Sequence, residues 1–405
     1  MQNLSRDEVK VIHSVFSRYK ATRISIAEAL DMSLLKISSL LSSLEQKGYI
    51  RKKGKQQIKT GRPSHLYILE KDRFYTLGIS VDIGYYRILG VDCGKNIIFD
   101  RTYEIGQPQD ASEYVKVLMD SLEGSIRDIR EEFAGEGRDI AAVGAAVTGM
   151  VDTKRGVWLL GLQVGGVKNV GIVETMRQRT GLPFYVDDNS RSIAFLEKLT
   201  GSGVDLEDFI LLYIGKGVGA GLVINNSIYS GYHGVSGEIG HIPQGSNNYR
   251  CSCGNIGCLE AIVSPAGIKR VMLDRLREGV VSSLSRYTQM DEKNLTLEII
   301  RKAAEDGDRF AKSTLYELGT AIGEACATLI KLFNPQRIII SGYSSILRDF
   351  FKEAIDQKIR HSVILEMLID YETEFADYGL HQEAYGAGLI AFERYLRDRA
   401  APVRP

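Results

Sequence analysis

Apolar and polar positions divide the chain into a short helical head and a longer body in which strands and helices alternate. The head begins with Ser5 and Glu8, whose spacing predicts a capping box at the start of a first helix. Apolar residues then recur at helical spacing, at Val9, Ile12, Val15 and Phe16. A short second helix is predicted over residues 24–30, and a turn at 31–33 leads to a third helix.

The third predicted helix has one apolar face and one small, polar, weakly basic face. Its apolar positions are Ile37, Leu40, Leu41 and Leu44. The other face, with the turn before it, offers Ser33, Lys36, Ser38, Ser39, Ser42 and Ser43. Such a face enters a major groove without steric conflict and donates hydrogen bonds to phosphates and base edges. We therefore predict that this helix contacts DNA through Ser33, Lys36, Ser38 and Ser39.

Residues 51–69 predict a basic strand–loop–strand after the third helix. Its cations are Arg51, Lys52, Lys53, Lys55, Lys59 and Arg62. This pattern is typical of the wing of a winged helix-turn-helix domain, here residues 1–70, whose cations contact phosphates or a minor groove. The alternative is a solvated charged hairpin on an unrelated three-helix bundle. Helix spacing, a glycine in the wing and the local charge together favour double-stranded DNA as the partner.

The net charge of zero over 405 residues hides an asymmetry. Residues 1–70 hold 13 Lys and Arg against 6 Asp and Glu, a net charge of +7, so the remainder carries −7. A basic head on an acidic body indicates that only the head meets a polyanion. The N-terminus MQNLSRDEVK has no signal-like apolar core, and no apolar stretch reaches membrane-spanning length, so we expect a cytoplasmic protein.

The body, from about residue 74, alternates strands and helices twice. The first set has strands predicted over 77–82, 86–92, 96–99, 141–152 and 184–188, and helices over 111–133, 170–180 and 190–199. The second set has a strand, a glycine loop and a strand over 209–231, a helical region, a strand over 337–342 and a final helix over 384–398. These two sets predict an α/β fold of two similar lobes with a cleft between them.

Residues 237–260 form a metal-binding pattern, GEIGHIPQGSNNYRCSCGNIGCLE. Within it stand one imidazole and three thiols, at His241, Cys251, Cys253 and Cys258. Such a closed set of four ligands suits tetrahedral structural zinc, and buried free thiols or a disulfide are the alternatives. Glu238 and Glu260 lie at the two ends of the segment. The remaining cysteines, Cys93 and Cys326, stand alone, unlike a secreted disulfide framework.

The segments GEIGH (237–241) and CSCGNIGCLE (251–260) closely resemble the signature segments of the ROK family (repressors, open reading frames and kinases). The head, followed by GRPSHLYIL, resembles the repressor branch of that family. The resemblance implies an actin-like, ribonuclease-H-like ATPase fold of two lobes, the first formed by 74–191 with 384–405 and the second by 192–383. It also implies zinc at the four metal ligands, a monosaccharide in the cleft, and a homodimer or homotetramer.

The kinase motifs of the family are altered here. Asn189 stands at the catalytic-base position, with Asp188 before it, and an amide cannot accept the proton of a sugar hydroxyl. Tyr85 and Tyr86 replace the small residues of the first phosphate loop. The second glycine loop, with Gly215, Gly217 and Gly219, keeps its character; it is either a phosphate site or a tight hairpin. We therefore expect no catalytic residues, no kinase activity and no ATP.

By resemblance, a sugar is held by Asp188, Asn189, Glu238, His241 and Glu260; alternatively, the two glutamates only orient the zinc ligands. The preferred hypothesis is a sugar-responsive transcriptional regulator, a repressor, in which the sugar closes the two lobes and changes the spacing of two DNA-binding heads. The runner-up is an ATP-dependent kinase of a hexose or N-acetyl sugar with an accessory DNA-binding domain. A third hypothesis is a regulator that senses a partner protein.

Overall fold

The computed structural model describes residues 4–18, 21–56, 64–106, 110–161, 164, 166–244, 247–288, 292–377, 379 and 381–401. Two compact units are formed, one by Met1–Asp205 with His381–Pro405 and the other by Leu206–Leu380. Among the described residues, every helix is too short or too polar to cross a bilayer.

The head lies at the start of the first unit. Its elements are α1 (Arg6–Phe16), β1 (Ala21–Thr22), α2 (Arg23–Leu30), α3 (Leu34–Gln46), β2 (Ile50–Gln56) and β3 (Ser64–Leu69). The predicted capping box is confirmed, because Ser5 and Glu8 each accept a hydrogen bond from the other's backbone amide. β2 and β3 form the predicted antiparallel pair, and the short β1 joins them as a third strand in the order β1-β3-β2.

The remainder of the first unit is built on a five-stranded sheet. Its elements are β4 (Tyr75–Asp82), β5 (Tyr85–Asp92), β6 (Ile97–Glu104), α4 (Ala111–Gly135), β7 (Ile140–Val147), β8 (Met150–Asp152), β9 (Val157–Gly161), β10 (Val167–Val170), α5 (Ile172–Thr180), β11 (Phe184–Asp188), α6 (Asn189–Thr200) and the C-terminal α13 (Gln382–Ala400). The sheet order is β11-β7-β4-β5-β6, with β4 to β6 antiparallel and β7 and β11 parallel to β4. β8, β9 and β10 form a separate small sheet.

The second unit repeats this arrangement. Its elements are β12 (Phe209–Ile214), β13 (Val218–Ile224), β14 (Ser227–Tyr229), α7 (Glu260–Val263), α8 (Pro265–Arg277), α9 (Leu284–Thr288), α10 (Leu297–Glu305), α11 (Arg309–Phe333), β15 (Arg337–Ser341), α12 (Arg348–Ser362) and β16 (Glu372–Phe375). Its sheet order is β14-β13-β12-β15-β16, again with three antiparallel strands followed by two parallel ones. The repeated topology confirms the predicted α/β, ribonuclease-H-like fold class.

Helices cover both faces of the sheet in the first unit. On one face, buried side chains of α4, such as Leu118, Leu122 and Ile126, pack against those of β4 and β5. On the other face, α13 lies very close to the strands because they carry glycine there. A Cβ on Gly144 would lie 2.1 Å from the carbonyl oxygen of Ala387, so that position excludes any side chain.

The head shares its hydrophobic core with α13. The Phe16 ring of α1 meets the Phe392 ring edge to face, with centroids 4.8 Å apart, and Phe74 lies 5.5 Å from the same ring. Beside these rings, His13 Nε2 lies 3.1 Å from Glu393 Oε1. No pattern in the sequence predicts this junction.

The expected boundary after residue 191 falls inside α6. That helix packs along α13, with Gly386 of α13 so close to the backbone of Ser192 that a Cβ would lie 1.9 Å from its carbonyl oxygen. The division between the two units therefore follows Asp205, beyond the end of α6.

Candidate functional site

The four predicted metal ligands of the second unit converge on one point. Ligand atoms from His241, Cys251, Cys253 and Cys258 all lie within 4.8 Å of one another. The sulfur atoms of Cys253 and Cys258 are 3.7 Å apart, and Cys251 Sγ lies 3.6 Å from His241 Nδ1. Bonds of about 2.3 Å to a tetrahedral zinc ion separate sulfur atoms by about 3.8 Å, so the set fits that ion. The sulfur separation is too long for a disulfide of about 2 Å.

The loop backbone brings these ligands together through tight turns. His241 ends a 3-10 turn that begins at Ile239. Gly254 and Gly257 have φ angles of +94° and +87°, which residues with a side chain rarely adopt, and they reverse the chain between the cysteines. Burial among neighbouring thiols raises the pKa of Cys258 to about 12. A bound cation would favour the thiolates that zinc ligation requires.

The two flanking glutamates differ in their surroundings. Glu260 is 6% exposed, and its carboxylate accepts hydrogen bonds from the amide of Val218 at 3.0 Å and the hydroxyl of Ser252 at 3.1 Å. The Cys251 thiol also points at it, at 3.6 Å. Glu238 is more open and lies 3.8 Å from Nε2 of His241, the ring nitrogen that faces away from the thiols. Both acids therefore lie close to metal ligands, where they can orient them.

The second glycine loop is a hairpin turn in the second unit. β12 and β13 pair from Ile214 and Val218 outward, so residues 215–217 form the turn, closed by a 2.9 Å bond from Gly215 N to Gly217 O. Gly219 lies within β13. The loop thus has the geometry of a tight hairpin, and its use as a phosphate site stays a prediction. The hydrogen bond from the Val218 amide to Glu260 connects this turn to the metal loop.

In the first unit, β11 ends in a buried network of charges. Asp187 and Arg191 are each 1% exposed, and Arg191 Nε lies 2.5 Å from Asp187 Oδ1. Arg394 of α13 pairs with the other carboxylate oxygen of Asp187. Burial alone opposes ionisation of Asp187, but the two guanidinium groups outweigh it and hold its pKa below the usual range. The next residue, Asp188, has a raised pKa, because it is buried and lies beside the charge of Asp187.

Asp188 is the N-cap of α6, so the helix starts immediately after the strand. Its Oδ1 accepts hydrogen bonds from Ser190 Oγ at 2.5 Å and from the amide of Arg191 at 2.9 Å. Its Oδ2 lies 2.7 Å from a guanidinium nitrogen of Arg191. Asn189 is the first residue of the helix, and its amide group donates to Thr148 Oγ1 at 3.1 Å. Its buried Oδ1 has no hydrogen-bond partner within the described residues.

The first phosphate-type loop, between β4 and β5, is filled by aromatic side chains. The Tyr85 hydroxyl donates to Asp82 Oδ2 at 2.7 Å, and the amide of Ile83 donates to Asp82 Oδ1 at 2.6 Å. Tyr86 is fully buried, stacks on Tyr103 with centroids 5.1 Å apart, and hydrogen-bonds the serines of α4. The side chains that replace the family's small residues thus belong to the local packing.

The predicted DNA-contact residues of α3 have different surroundings. Ser33 caps the helix by accepting a 3.3 Å hydrogen bond from the amide of Lys36, whose ammonium pairs with Asp7 at 2.5 Å while remaining half exposed. Ser38 donates to the carbonyl of Leu34 and accepts from Arg23. Ser39 and Ser42 face solvent, whereas Ser43 donates to Glu8 at 2.8 Å. Ser43 is therefore partly buried against α1, unlike the exposed serines of the predicted polar face.

The wing places three of its predicted cations in described surroundings, and the first of them, Arg51, pairs with Glu70 at 3.4 Å. Lys53 is exposed on β2, and Lys52 pairs with Glu45 at 3.0 Å. Lys55 lies in the same strand, but its side chain is outside the described set, as are residues Lys59 and Arg62 altogether. The wing prediction therefore rests on the β2–β3 pair and on its sequence.

Sequence reasoning missed two groups that the structure brings together. Arg191 and Arg394 meet at Asp187, although one arginine follows it by four residues and the other lies near the C-terminus. The local signal was an arginine four residues after a strand-end carboxylate, close enough along the chain to pair with it. Glu8 was assigned only to a capping box, yet it also holds Lys47 of the third helix at 2.6 Å.

Curated relatives share most of the length of the chain. A xylose repressor from Caldicellulosiruptor bescii is 27% identical over 385 residues, which cover 95% of this chain and 94% of that protein. The DNA-binding transcriptional dual regulator NagC of Escherichia coli K12 is 30% identical over 323 residues, covering 79% and 76%.

Solved structures give the same picture. A ROK family transcriptional regulator, a homologue of the E. coli MLC protein, superposes with a TM-score of 0.81 at 25% identity and covers 98% of both chains. A ROK family glucokinase from Streptomyces griseus, in complex with glucose and AMPPNP, covers 78% of this chain and 99% of its own, with a TM-score of 0.65 at 25% identity. The family pattern described as "ROK family" matches residues 79–394. The chain therefore belongs to the ROK family.

Proposed function

We propose that this protein is a sugar-responsive transcriptional repressor that binds operator DNA through its N-terminal head. The observation that carries the proposal is the joining of a winged-helix head to a ROK body in one chain, an arrangement that the xylose repressor matches over 95% of this length. The positive charge confined to residues 1–70 supports DNA as the partner of the head.

The effector that we propose is a monosaccharide or a derivative of one. In the second unit, Glu238, His241 and Glu260 offer polar groups beside the metal ligands. In the first unit, Asp188 and Asn189 end a buried strand, and the unpartnered Oδ1 of Asn189 is an acceptor that a sugar hydroxyl would satisfy. The engagement of Glu260 with Val218 and Ser252 favours a supporting role for that residue, with Glu238 the more available contact.

Zinc has a structural role in this proposal. His241 and the three cysteines would supply all four positions of a tetrahedral ion, which leaves no open position for a reacting water. The ion would fix the turn that carries Glu238 and Glu260. Lewis-acid chemistry is not part of the function that we propose.

The packing of the head offers a route by which effector binding reaches DNA. Because Phe16 and His13 of α1 contact Phe392 and Glu393 of α13, the head is held on the body by a packed junction. The next residue of α13, Arg394, holds Asp187, one position before the proposed sugar contact Asp188. A ligand that binds one arrangement of this strand end more tightly would shift the position of the head. A ligand with equal affinity for two arrangements would leave their populations unchanged.

We further propose that the protein acts as a homodimer or homotetramer. Winged helix-turn-helix repressors read paired half-sites, and the protein symmetry then matches a palindromic operator. Sedimentation equilibrium of the full chain, with and without operator, measures the assembly. A monomer at both conditions would contradict this part of the proposal.

The test begins with selection of operator sequences from random duplexes by the purified full chain. Fluorescence anisotropy then measures operator affinity across hexoses, pentoses, N-acetyl sugars and their phosphates. We expect one sugar class to change the affinity at least tenfold, and Glu238→Gln and Asn189→Ala to reduce that response while leaving sugar-free DNA binding intact. Failure to select any operator sequence would overturn the DNA-binding proposal. Unchanged operator affinity across the whole sugar panel would overturn the proposed response to sugar.

A sugar kinase is the second candidate, favoured by the retained glycine loop and by similarity to the glucokinase fold. Against it stand the amide of Asn189, the engagement of Asp188 by three donors, and the filling of the first loop by Tyr85 and Tyr86. A coupled assay of ATP turnover with the same sugars separates the two functions. Turnover that Asp188→Asn abolishes would support the kinase; no turnover above the sugar-free rate would support the regulator.

A further inference from the structure

A small basic pocket lies in the first unit, behind the strand end that carries Asp187. Its volume is about 120 Å³, and its lining includes the apolar residues Val173 of α5 and Phe184 and Val186 of β11. Pockets for drug-sized ligands occupy about 300–1,000 Å³, so this one suits a single small group. None of the residues that we assign to zinc, sugar or DNA lines it.

The charge of the lining is strongly positive. Lys154, Arg155, Arg177 and Arg394 contribute cations from three separate elements, and Glu174 is the single acid among the lining residues. Four cations beside one acid give the lining a net positive charge, which favours a bound anion.

Hydrogen bonds hold three of the residues that supply these cations in place. The backbone amides of Lys154 and Arg155 donate to Asp152 Oδ1 at 3.1 and 2.9 Å, which fixes the turn between β8 and β9. Arg177 Nε donates to the carbonyl of Phe184 at 3.2 Å. These contacts lower the loss of conformational freedom when a ligand binds.

Arg394 connects the pocket to the buried charge network. It lines the pocket and pairs with Asp187, and its Nη1 donates to the carbonyl of Val186 at 2.9 Å. Arg191 provides a second cation for Asp187, so that carboxylate keeps a partner if Arg394 is shared. An anion in the pocket would compete with Asp187 for one guanidinium group.

We propose that this pocket binds a phosphate-type dianion. The cations of Lys154, Arg155, Arg177 and Arg394 would contact it. A tetrahedral phosphoryl group has several acceptor oxygens. A planar guanidinium group can donate two parallel hydrogen bonds to two of them. The source of the dianion is either inorganic phosphate or the phosphoryl group of a larger metabolite. Because Arg394 also pairs with Asp187, a bound anion would weaken that pair and so affect the end of β11.

Isothermal titration of the full chain tests the proposal with two probes, inorganic phosphate and glycerol 3-phosphate, at constant ionic strength and with glycerol as the neutral comparison. We expect saturable binding of at least one phosphate probe and none of glycerol. Arg155→Glu is expected to weaken binding about ten- to hundredfold, since it removes a charge-assisted hydrogen bond and adds repulsion, while Arg155→Lys restores much of it. Tighter binding of glycerol 3-phosphate would identify a metabolite as the source.

A matched control is Lys116→Gln with Arg127→Gln on α4, which removes two positive charges away from the pocket. This control is expected to bind phosphate as the unmodified chain does. Hydrogen exchange of residues 184–191 is expected to change on addition of phosphate in the unmodified chain and to stay unchanged in Arg155→Glu. Absence of saturable binding, or equal binding by Arg155→Glu, would overturn the proposal, and neither result depends on DNA or sugar binding.

Discussion

Asn189 differs from a catalytic aspartate only in an amide group, yet that group changes which chemistry is available. An amide hydrogen-bonds a hydroxyl but does not deprotonate it, and its nitrogen is already engaged by Thr148. The adjacent carboxylate of Asp188 is used to cap α6 and to pair with Arg191. We therefore propose that this strand end binds a ligand without transferring a phosphoryl group.

The closeness of the zinc ligands leads to a prediction about metal content. Cys253→Ala or Cys258→Ala is expected to reduce zinc from about one ion per chain to a small fraction, because three remaining ligands bind far more weakly. The response of operator affinity to sugar is expected to fall in the same variants. Elemental analysis by mass spectrometry measures the zinc content. The control is Cys326→Ala, which removes a buried cysteine of α11 outside the metal loop. A zinc-free variant with a normal sugar response would separate the ion from effector sensing.

Glu8 leads to a prediction about pH. Burial opposes its ionisation, but hydrogen bonds from Lys47, Ser5 and Ser43 outweigh it and lower its pKa from 4.5 to about 2. Because the folded-state pKa is the lower one, its contribution to stability is present above pH 4.5 and is lost as the pH falls toward 2.

Glu8→Gln is therefore expected to destabilise the chain by about 1–3 kcal/mol at pH 7, and by progressively less as the pH falls below 4.5. Urea unfolding followed by circular dichroism at pH 7, 5 and 3 measures the difference. Glu28→Gln, at an exposed position of α2, serves as the control. A loss of equal size at pH 7 and pH 3 would show that the charge of Glu8 is not its source.

At the scale of elements, α13 connects regions that are far apart in the sequence. It packs on β4 and β7 where those strands carry glycine. Its Phe392 and Glu393 contact α1 of the head, and its Arg394 pairs with Asp187 at the end of β11. A helix with contacts on so many sides joins these regions physically, and the closeness of its packing against the sheet is testable.

Gly144→Ala is expected to destabilise the chain by about 1–3 kcal/mol, because the new methyl group would lie 2.1 Å from the carbonyl oxygen of Ala387 and force α13 away from β7. The matched control is Gly124→Ala inside α4, where a Cβ meets nothing within 4 Å; there we expect a gain of about 0.5–1 kcal/mol from helix propensity. Denaturant unfolding measures both. Equal effects of the two substitutions would contradict the close approach of α13.

For the whole molecule, the separation of charge has a direct consequence for DNA binding. The head carries +7 and the remaining residues −7, so the net attraction to the DNA backbone comes from one end of the sequence. Each phosphate contact by a cation releases counterions, which makes affinity fall steeply with salt.

Lys53→Gln is expected to reduce the slope of log affinity against log salt concentration by about 1, because this exposed wing cation would neutralise one phosphate. Anisotropy titrations between low and moderate salt measure the slope. Lys331→Gln, in the last turn of α11, removes the same charge from the second unit and is expected to leave the slope unchanged. An unchanged slope for Lys53→Gln would remove this residue from the DNA interface.

The metal loop, the repeated strand pattern and the head were predictable because each depends on local spacing. Three thiols and one imidazole within eighteen positions indicate a closed metal site before any coordinates are known, and periods of 2 and 3.6 residues identify strands and helices. The capping box at Ser5 and the strand ending at Asp188 are of the same kind. In each case the interacting groups are neighbours along the chain.

The remaining features were decided by tertiary packing between distant residues. No periodicity places Arg394 beside Asp187, joins Phe16 to Phe392, or turns Ser43 toward Glu8. These contacts depend on how sheets and helices stack and on where glycine lets them approach, and a sequence pattern carries that information only indirectly. Local spacing thus predicted the elements and the candidate metal ligands, whereas packing between distant residues fixed how charges and aromatic rings connect the head to the body.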